Sequence, residues 1–332
     1  MSKIRVAILR GGLGDEYDVS LKSGASVLEH IDRARFEPLD VVITKSGNWL
    51  HDGRTKLPDQ ILYTVDVVFN ALHGTYGEDG TLQRFLDRYA VPYTGSKAFA
   101  SNLAMHKINT KRHLEGTGIK LAPHMHVTRD SIDDTGMIAD KITHMFGPQY
   151  IIKPVTSGSS VGTMVVKNPL LLAQALKDAL SRFEQVMVEA KIEGREATCG
   201  VAERYRGNAI YAFPPIEIVP PPQADFFSNE VKYNGETQEI CPARFSHSIK
   251  KEIEETSKLI HQTLGLSQYS RSDFIVADDL PGRQAGGIYF LEVNTLPGLT
   301  KESLLPKAIE AVGGTYSDFI THLITDAQSV RM

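Results

Sequence analysis

The side chains of this sequence that could do chemistry gather in a few short stretches, and the richest is near the carboxyl end. In Ser270-Arg271-Ser272-Asp273 and Leu291-Glu292-Val293-Asn294, strand alternation puts Arg271 and Asp273 on one face, and Glu292 with Asn294 on one face of the second strand. If the two strands pair, four polar groups converge. Two carboxylates and an amide oxygen are hard ligands suited to Mg²⁺, which commonly binds through one or two carboxylates plus nucleotide phosphates. An arginine beside them can stabilise oxyanion or phosphoryl charge that develops during reaction. A surface ladder of ion pairs explains the pattern poorly. Apolar Phe274, Ile275, Val276 and Tyr289, Phe290, Leu291 flank these positions, which suits a sheet buried on both sides, and there an unpaired carboxylate is expensive.

Three further stretches carry weaker signals. Lys153-Pro154 ends a strand and is followed by Val155-Thr156-Ser157-Gly158-Ser159-Ser160-Val161-Gly162 and another strand. A hairpin loop this rich in Gly and Ser offers amides and hydroxyls to phosphate oxygens, with the lysine adding charge at its rim; a flexible linker has little room to act between two strands. His73-Gly74-Thr75-Tyr76-Gly77-Glu78-Asp79-Gly80 closes a third strand and opens a helix, where open α/β sheets bind ligands. The acids there also suit the positive end of the helix, and His73 could simply satisfy a backbone group. Gly11-Gly12-Leu13-Gly14 follows the first strand, but Tyr17 stands where a dinucleotide fingerprint needs its third glycine. Glu16 lies in that turn, as a ligand for substrate or as a capping acid. There is no Gly-Lys dipeptide for a Walker A loop and no His-Glu-x-x-His.

The elements that must position these residues read as an α/β (α+β) protein. The first third alternates short β-branched runs (Ile4 to Leu9, Leu39 to Ile43, Val65 to Asn70) with helical patterns from about Ser20 and through Leu82, Phe85, Leu86 and Tyr89, the rhythm of a parallel sheet with crossover helices. A helical segment with Lys107 and Lys111, strands at Tyr150 to Lys153 and Thr163 to Val166, a helix over Leu170 to Leu180 and a strand at Gln185 to Glu189 form a smaller unit. Strands follow at Ala197 to Ala202 and Ala209 to Phe213, then a helix over Ile249 to Leu264 and strands at Tyr269 to Val276 and Ile288 to Asn294. An irregular stretch near 220–242 opens Pro-Pro-Pro, and a structureless loop of that length is usually functional or disordered. The expected division is 1–104, 105–190 and 191–332.

Composition narrows the partners. With 332 residues and 42% apolar side chains, two or three domains are expected. The balance of 36 basic against 40 acidic residues, a net charge of −4, gives no field to attract nucleic acid or an acidic membrane surface. Two cysteines, Cys199 and Cys241, exclude a disulfide scaffold or zinc ribbon and suit reducing cytosol. No apolar run reaches the ~18 residues of a membrane helix, and the charged amino-terminal strand does not read as a signal peptide.

Taken together, these residues resemble the ATP-grasp family and, within it, the D-alanine–D-alanine ligases. The resemblance runs from Gly11-Gly12 with Glu16 through His73-Gly74, Pro92-Tyr93-Thr94-Gly95-Ser96, the Lys153 to Gly162 loop, Glu230-Val231-Lys232-Tyr233, Cys241-Pro242-Ala243, Arg271 with Asp273, and Glu292-Val293-Asn294-Thr295-Leu296-Pro297-Gly298. It implies a three-domain fold with ATP sandwiched between the second and third domains. Lys107 and Lys153 would contact the phosphates, with Ser159 and Ser160 of the Gly/Ser loop also on the ATP, Glu189 and Ile192 would border the adenine, Glu196 would reach the ribose, and Lys232 looks like a further nucleotide-side lysine. Asp273, Glu292 and Asn294 would hold two Mg²⁺ or Mn²⁺ ions. Glu16, with His73 nearby, would bind the first D-alanine, and Ser303-Leu304 the carboxylate of the second. Arg271 and the Gly298 amide would stabilise the oxyanion, and Glu16, Ser159 and Tyr233 would form a hydrogen-bonded set. The resemblance also implies a cytoplasmic enzyme of peptidoglycan precursor synthesis, a homodimer as in many relatives, and no nucleic acid or membrane partner. Tyr233 favours an amine as the second nucleophile, since relatives that make a D-alanyl-D-lactate ester tend to lack it. D-serine or D-lactate as second substrate, and a non-catalytic ATP-grasp binding protein, are the alternatives. His106 stands where many relatives carry aspartate, Ala190 where a lysine commonly follows the adenine-side glutamate, and Ser270 where a glycine is usual.

Overall fold

A computed structural model describes residues 3–158, 162–221, 237–278 and 286–329. The chain begins with β1 (Ile4–Gly11), α1 (Tyr17–His30), β2 (Phe36–Ile43), β3 (Trp49–His51), β4 (Arg54–Lys56), α2 (Pro58–Leu62), β5 (Val67–Asn70) and α3 (Thr81–Asp87). These strands form a sheet in the order β4-β3-β2-β1-β5. The β2, β1 and β5 strands run parallel, as the alternating pattern predicts, while β3 and β4 add an antiparallel edge. Val6, Ala7, Ile8 and Leu9 of β1 are all fully buried, because a parallel strand covered on both faces needs a continuous apolar run and not alternation. The β3–β4 hairpin is absent from the sequence reading. Its turn, Asp52-Gly53, has positive φ at both residues, the backbone that an Asp-Gly pair supplies in tight hairpins.

Two helices, α4 (Ala98–Met105) and α5 (Lys107–Leu114), lead onward. Between them His106 is extended, and its Nδ1 accepts from the Asn109 N–H at 3.2 Å. The histidine thus performs the N-capping job that an aspartate would do in that place.

Next come β6 (Lys120–Leu121), β7 (His124–Thr128), α6 (Thr135–Met145), β8 (Tyr150–Pro154), β9 (Met164–Val166), α7 (Leu172–Arg182) and β10 (Gln185–Ala190). The last four strands form an antiparallel sheet ordered β7-β10-β8-β9. Tyr150 and Ile152 of β8 point into a core shared with Ile142, Leu172, Leu176 and Leu180 of the two helices. Alternation therefore turns Ile151 and Lys153 to the opposite face, which is open to the cleft.

The remaining elements are β11 (Arg195–Glu203), β12 (Ile210–Ala212), β13 (Ile216–Val219), β14 (Gln238–Ile240), α8 (His247–Thr263), β15 (Tyr269–Ala277), β16 (Gly287–Asn294), α9 (Leu304–Ala311) and α10 (Tyr316–Ser329). Their sheet runs β14-β13-β11-β15-β16-β6, with β12 paired to β11. The early β6 therefore joins this sheet and not the one around it in sequence. One face packs on α8 through Ile253, Ile260, Phe274 and Phe290. On the other side Phe213, Tyr269, Leu305 and Phe319 belong to a core that continues into Val6, Ile8 and Phe69 of the first sheet. The stretch read as irregular contains β14 at its end; 222–236 lie outside the described residues. Both cysteines are unpaired. Among the described residues no helix is long and apolar enough to cross a membrane.

Candidate active site

The expected convergence of β15 and β16 is present. The strands pair antiparallel with Arg271 opposite Asn294 and Asp273 opposite Glu292. Arg271 donates from Nε and Nη2 to the two oxygens of Asp273, each at 2.9 Å. Asn294 Nδ2 reaches the same carboxylate at 3.1 Å, and Thr198 Oγ on β11 donates to it at 2.5 Å. Burial acts against the Arg271 charge, but Asp273 and Glu292 outweigh it and raise the pKa above the ordinary arginine value. The register slips immediately after Asp273, where Phe274 pairs with Phe290 and Leu291 is left over. A bulge re-aims side chains. As a result Leu291 and Glu292, though adjacent, both line the same cavity, together with Asp273 and Ile275.

That cavity, about 470 Å³, lies between the β7-β10-β8-β9 sheet and the third sheet. Lys107, Lys153, Glu189, Ile192 and Glu196 line it, and Ile151, Ile275 and Leu291 give it apolar walls. The volume is that of a small-molecule site, and apolar walls beside a polar edge suit a flat heterocycle. A file of opposite charges runs along it. Lys107 Nζ is 3.7 Å from Glu292 and donates to the Ser157 carbonyl at 2.5 Å. Lys153 Nζ is 3.1 Å from one oxygen of Glu189, and Lys111 Nζ 3.5 Å from the other. Burial would raise the Glu189 pKa, but Lys111 and Lys153 override it and hold the group down at about 2. Glu189 is thus a fixed carboxylate, able to accept from an exocyclic amine, beside lysines that can meet phosphate oxygens.

Lys111 did not figure among the predicted site residues. The available signal was its place one helical turn after Lys107 on α5, on the same face.

A second, smaller space shares Lys107, Ser157 and Glu292 with the first and adds Glu16, Glu78, Gly158 and Thr295. Glu16 sits just before α1 and against two glycines. A Cβ at Gly74 would lie 2.2 Å from Glu16 Oε2, and one at Gly158 would lie 2.6 Å from it. Only glycine leaves that room, so the phosphate-type loop and the His73-Gly74 turn both close on Glu16. His73 is buried, with Nε2 at 2.7 Å from Ser23 Oγ and Nδ1 at 2.9 Å from the Leu296 carbonyl. A carbonyl only accepts, so Nδ1 carries the proton. Burial lowers the His73 pKa, which leaves a neutral ring whose Nε2 accepts from the serine hydroxyl.

Glu78 is a second residue that did not figure among the predicted site residues, although it lies within the same Gly-rich stretch. It is buried and accepts four donors: the Gly74 N–H at 3.0 Å, the Thr295 N–H and hydroxyl at 3.2 Å each, and the Leu296 N–H at 3.0 Å. Burial and the nearby Glu16 push its pKa up to about 7 despite these bonds.

Farther along, Ser303 occupies the position before α9, and its Oγ accepts from the Thr300 N–H at 3.1 Å. A Cβ at Gly298 would lie 2.8 Å from that oxygen, which keeps the Gly298 turn against the start of α9, where Leu304 is buried. Ser159, Ser160, Lys232 and Tyr233 lie outside the described residues.

The donor chemistry fits a hard cation. Asp273, Glu292 and Asn294 offer oxygen ligands suited to Mg²⁺ or Mn²⁺. Among the described residues no group of three or more His, Cys, Asp and Glu is placed to hold a metal ion, so this set rests on two carboxylates and one amide oxygen.

A nucleotide-sized cleft between two β-sheets, with Lys153 paired to Glu189 on one wall and Asp273 and Glu292 on the other, defines an ATP-grasp protein. Models of this class match nearly the whole chain: "D-ala D-ala ligase N-terminus" over residues 5–61 and 53–96, and "D-ala D-ala ligase C-terminus" over 114–325. The chain belongs to the D-alanine–D-alanine ligase family. It is 35% identical to the D-alanine–D-alanine ligase of Geobacter sulfurreducens, covering 98% of this chain and 94% of that one. To the corresponding ligase of Syntrophobacter fumaroxidans it is 36% identical, over 97% of each. Similar solved structures include the D-alanyl-alanine synthetase A of Vibrio cholerae, with TM-score 0.84 and 26% identity over 99% of both chains. Another is the VanG D-Ala:D-Ser ligase of Enterococcus faecalis, with TM-score 0.82 and 29% identity over 98% of this chain and 100% of that one.

Proposed function

We propose that this chain joins two molecules of D-alanine at the expense of ATP, releasing ADP and phosphate, for peptidoglycan precursors. The supporting observation is that Asp273, bonded by Arg271, and Glu292 line the same cleft as Lys107, Lys153 and Glu189, while Glu16 lines the small space that shares Lys107 and Glu292 with it. ATP lies with its base toward Glu189 and Ile192, its ribose toward Glu196 and its phosphates toward Lys107 and Lys153; Ser159, Ser160 and Lys232 complete that set. Asp273, Glu292 and Asn294 would hold the two Mg²⁺ or Mn²⁺ ions, whose chemistry would be to offset the phosphate charge. Glu16 binds the ammonium of the first D-alanine. The carboxylate oxygen of that D-alanine attacks the γ-phosphorus, the bond to the ADP oxygen breaks, and an acyl phosphate forms. The free amine of the second D-alanine, its carboxylate at Ser303-Leu304, then attacks the acyl carbon. Arg271 and the Gly298 amide stabilise the oxyanion, as fixed donors do where charge develops; the acyl C–O bond then breaks and phosphate departs with that oxygen and with the proton given up by the amine. Acyl phosphates hydrolyse, so the stretch carrying Tyr233 acts with Glu16 and Ser159 to exclude water.

The division into 1–104, 105–190 and 191–332, a homodimer and a cytoplasmic location belong to the same reading. Phosphate release from ATP and Mg²⁺ should depend on D-alanine, with dipeptide formed in equal amount; no release across a panel of D-amino acids would sink the proposal. The likeness to a D-Ala:D-Ser ligase motivates a second reading, with D-serine as acceptor. Competition of D-alanine against D-serine and D-lactate near neutral pH separates the two by the product formed.

A further inference from the structure

Strand β16 ends on the last metal-type donor, Asn294, and the turn after it carries the oxyanion donor, Gly298. Between them lie Thr295, Leu296 and Pro297, all buried. Leu296 is held at both ends of its backbone by side chains more than two hundred positions earlier in the sequence. Its N–H donates to Glu78 Oε2 at 3.0 Å, and its carbonyl accepts from His73 Nδ1 at 2.9 Å. Glu78 Oε2 takes two more bonds from Thr295, while its Oε1 accepts the Gly74 N–H at 3.0 Å. His73 is itself fixed by Ser23 on α1 at 2.7 Å. The Leu296 side chain is seated against Gly95, where a Cβ would come within 2.8 Å of it. Gly95 in turn is tied by its N–H to Gln268 Oε1 at 2.7 Å. Three backbone groups of the turn, the N–H groups of Thr295 and Leu296 and the Leu296 carbonyl, thus end on Glu78 and His73, in the part of the molecule that holds Glu16.

We propose that Glu78 is a positioning residue for the reaction, which with His73 clamps Leu296 and so sets Asn294 and the Gly298 amide relative to the first substrate. Glu78 touches no reacting atom. A carboxylate with two oxygens can satisfy donors from both sides at once, Gly74 on one and Thr295-Leu296 on the other; an amide offers one oxygen and turns N–H groups toward donors. Loosening the turn displaces the oxyanion donor by fractions of an ångström, enough to slow the chemistry without touching nucleotide affinity. Because the amine attack depends on Gly298 and the first phosphoryl transfer depends less on it, the acyl phosphate then persists long enough for water to take it.

The proposal rests on the dipeptide-forming reading, and its test separates the two. Wild-type protein, Glu78→Gln and Thr295→Val are assayed with ATP, Mg²⁺ and D-alanine for phosphate and for dipeptide, with nucleotide binding stoichiometry measured alongside. The wild type is expected to release one phosphate per dipeptide. E78Q should lose about 100-fold in kcat with the ATP KM within about twofold, and release three or more phosphates per dipeptide. T295V, which removes one donor and keeps the shape, should lose about fivefold in kcat and raise the ratio in the same direction. A merely structural role lowers the active fraction and leaves the ratio at one, and that result in E78Q overturns the proposal while the ligase reading stands. If E78Q does not fold, T295V decides: an unchanged kcat and ratio overturns it. A wild type that makes no dipeptide overturns both.

Discussion

Leu291 and Glu292 are consecutive in β16, yet both line the nucleotide-sized cavity. The slip in pairing after Asp273 accounts for this, since it leaves Leu291 opposite no residue of β15. One strand therefore supplies an apolar wall and an acid in adjacent positions. The two acids of the site should separate under substitution. Glu292→Gln and Asp273→Asn are both expected to lower kcat by at least about 100-fold. Glu292 is partly exposed, and its loss should change stability by about 1 kcal/mol or less. Asp273 is the bidentate partner of Arg271, whose side chain is only 13% exposed, so D273N should cost about 2–4 kcal/mol. Urea unfolding beside phosphate-release assays checks this, and equal stabilities would contradict the role given to the Arg271–Asp273 pair.

Lys111 is expected to matter more for stability than its distance from the reacting atoms suggests. Its side chain and that of Glu189 are both almost wholly buried. Burial lowers the Lys111 pKa, and Glu189 pulls the other way. Replacing it with Met removes one of the two cations on Glu189 and leaves Lys153 at 3.1 Å. A loss of about 2–3 kcal/mol follows, below the full cost of orphaning a buried charge because one partner remains. The ATP KM should rise as well, since Glu189 loses a fixed orientation. Chemical denaturation and steady-state kinetics of K111M measure both.

Glu189 also gives a pH dependence with a definite sign. Its pKa in the folded protein is about 2, against an ordinary 4.5. Folding therefore favours its charged form. The stabilisation is complete above pH 4.5 and is lost as pH falls through the folded value, about 3 kcal/mol in all. Unfolding free energies between pH 6 and pH 3 should fall more steeply for the wild type than for Glu189→Gln. Parallel curves would show that Lys111 and Lys153 do not hold the carboxylate as the geometry indicates.

Gly158→Ala tests the room left for Glu16. The added Cβ would lie 2.6 Å from Glu16 Oε2, so the carboxylate must swing away. We expect the D-alanine KM for the first site to rise about tenfold, roughly the loss of one charge-assisted contact. The melting temperature should stay close to that of the wild type, because a side chain and not the backbone yields. An unchanged D-alanine KM would place the ammonium elsewhere.

The sequence made the catalytic sheet legible because Arg271, Asp273, Glu292 and Asn294 sit on two adjacent strands with plain alternation and flanking apolar runs. Their pairing needed no long-range guess. Lys107, Lys153, Glu189, Ile192 and Glu196 were legible through resemblance, and the cavity gathers them. Glu78 was harder, since what defines it is its set of bonds to Thr295 and Leu296, and no periodicity reports contacts across such a separation. His73 was read beside the first substrate or as satisfying a backbone group. The structure gives it Ser23 and the Leu296 carbonyl as partners. Strand β6 escaped because two residues carry no pattern, and it belongs to a sheet whose other strands come much later. The irregular stretch hid β14 for the same reason of brevity.

The core shared by the first sheet and the last helix bears on how the molecule is made. Val6, Ile8 and Phe69 belong to the same core as Phe319, Ile320 and Leu323 of α10, and Tyr316 meets His30 of α1 edge to face at 5.2 Å. During synthesis the opening strands leave the ribosome on the order of ten to fifty seconds before that helix, at typical elongation rates. Until then part of their apolar surface has nothing to rest on. The nascent chain should therefore depend on chaperone cover through most of its translation, and ribosome-bound intermediates stalled before Tyr316 should be cleaved in the first hundred residues far faster than those stalled after α10.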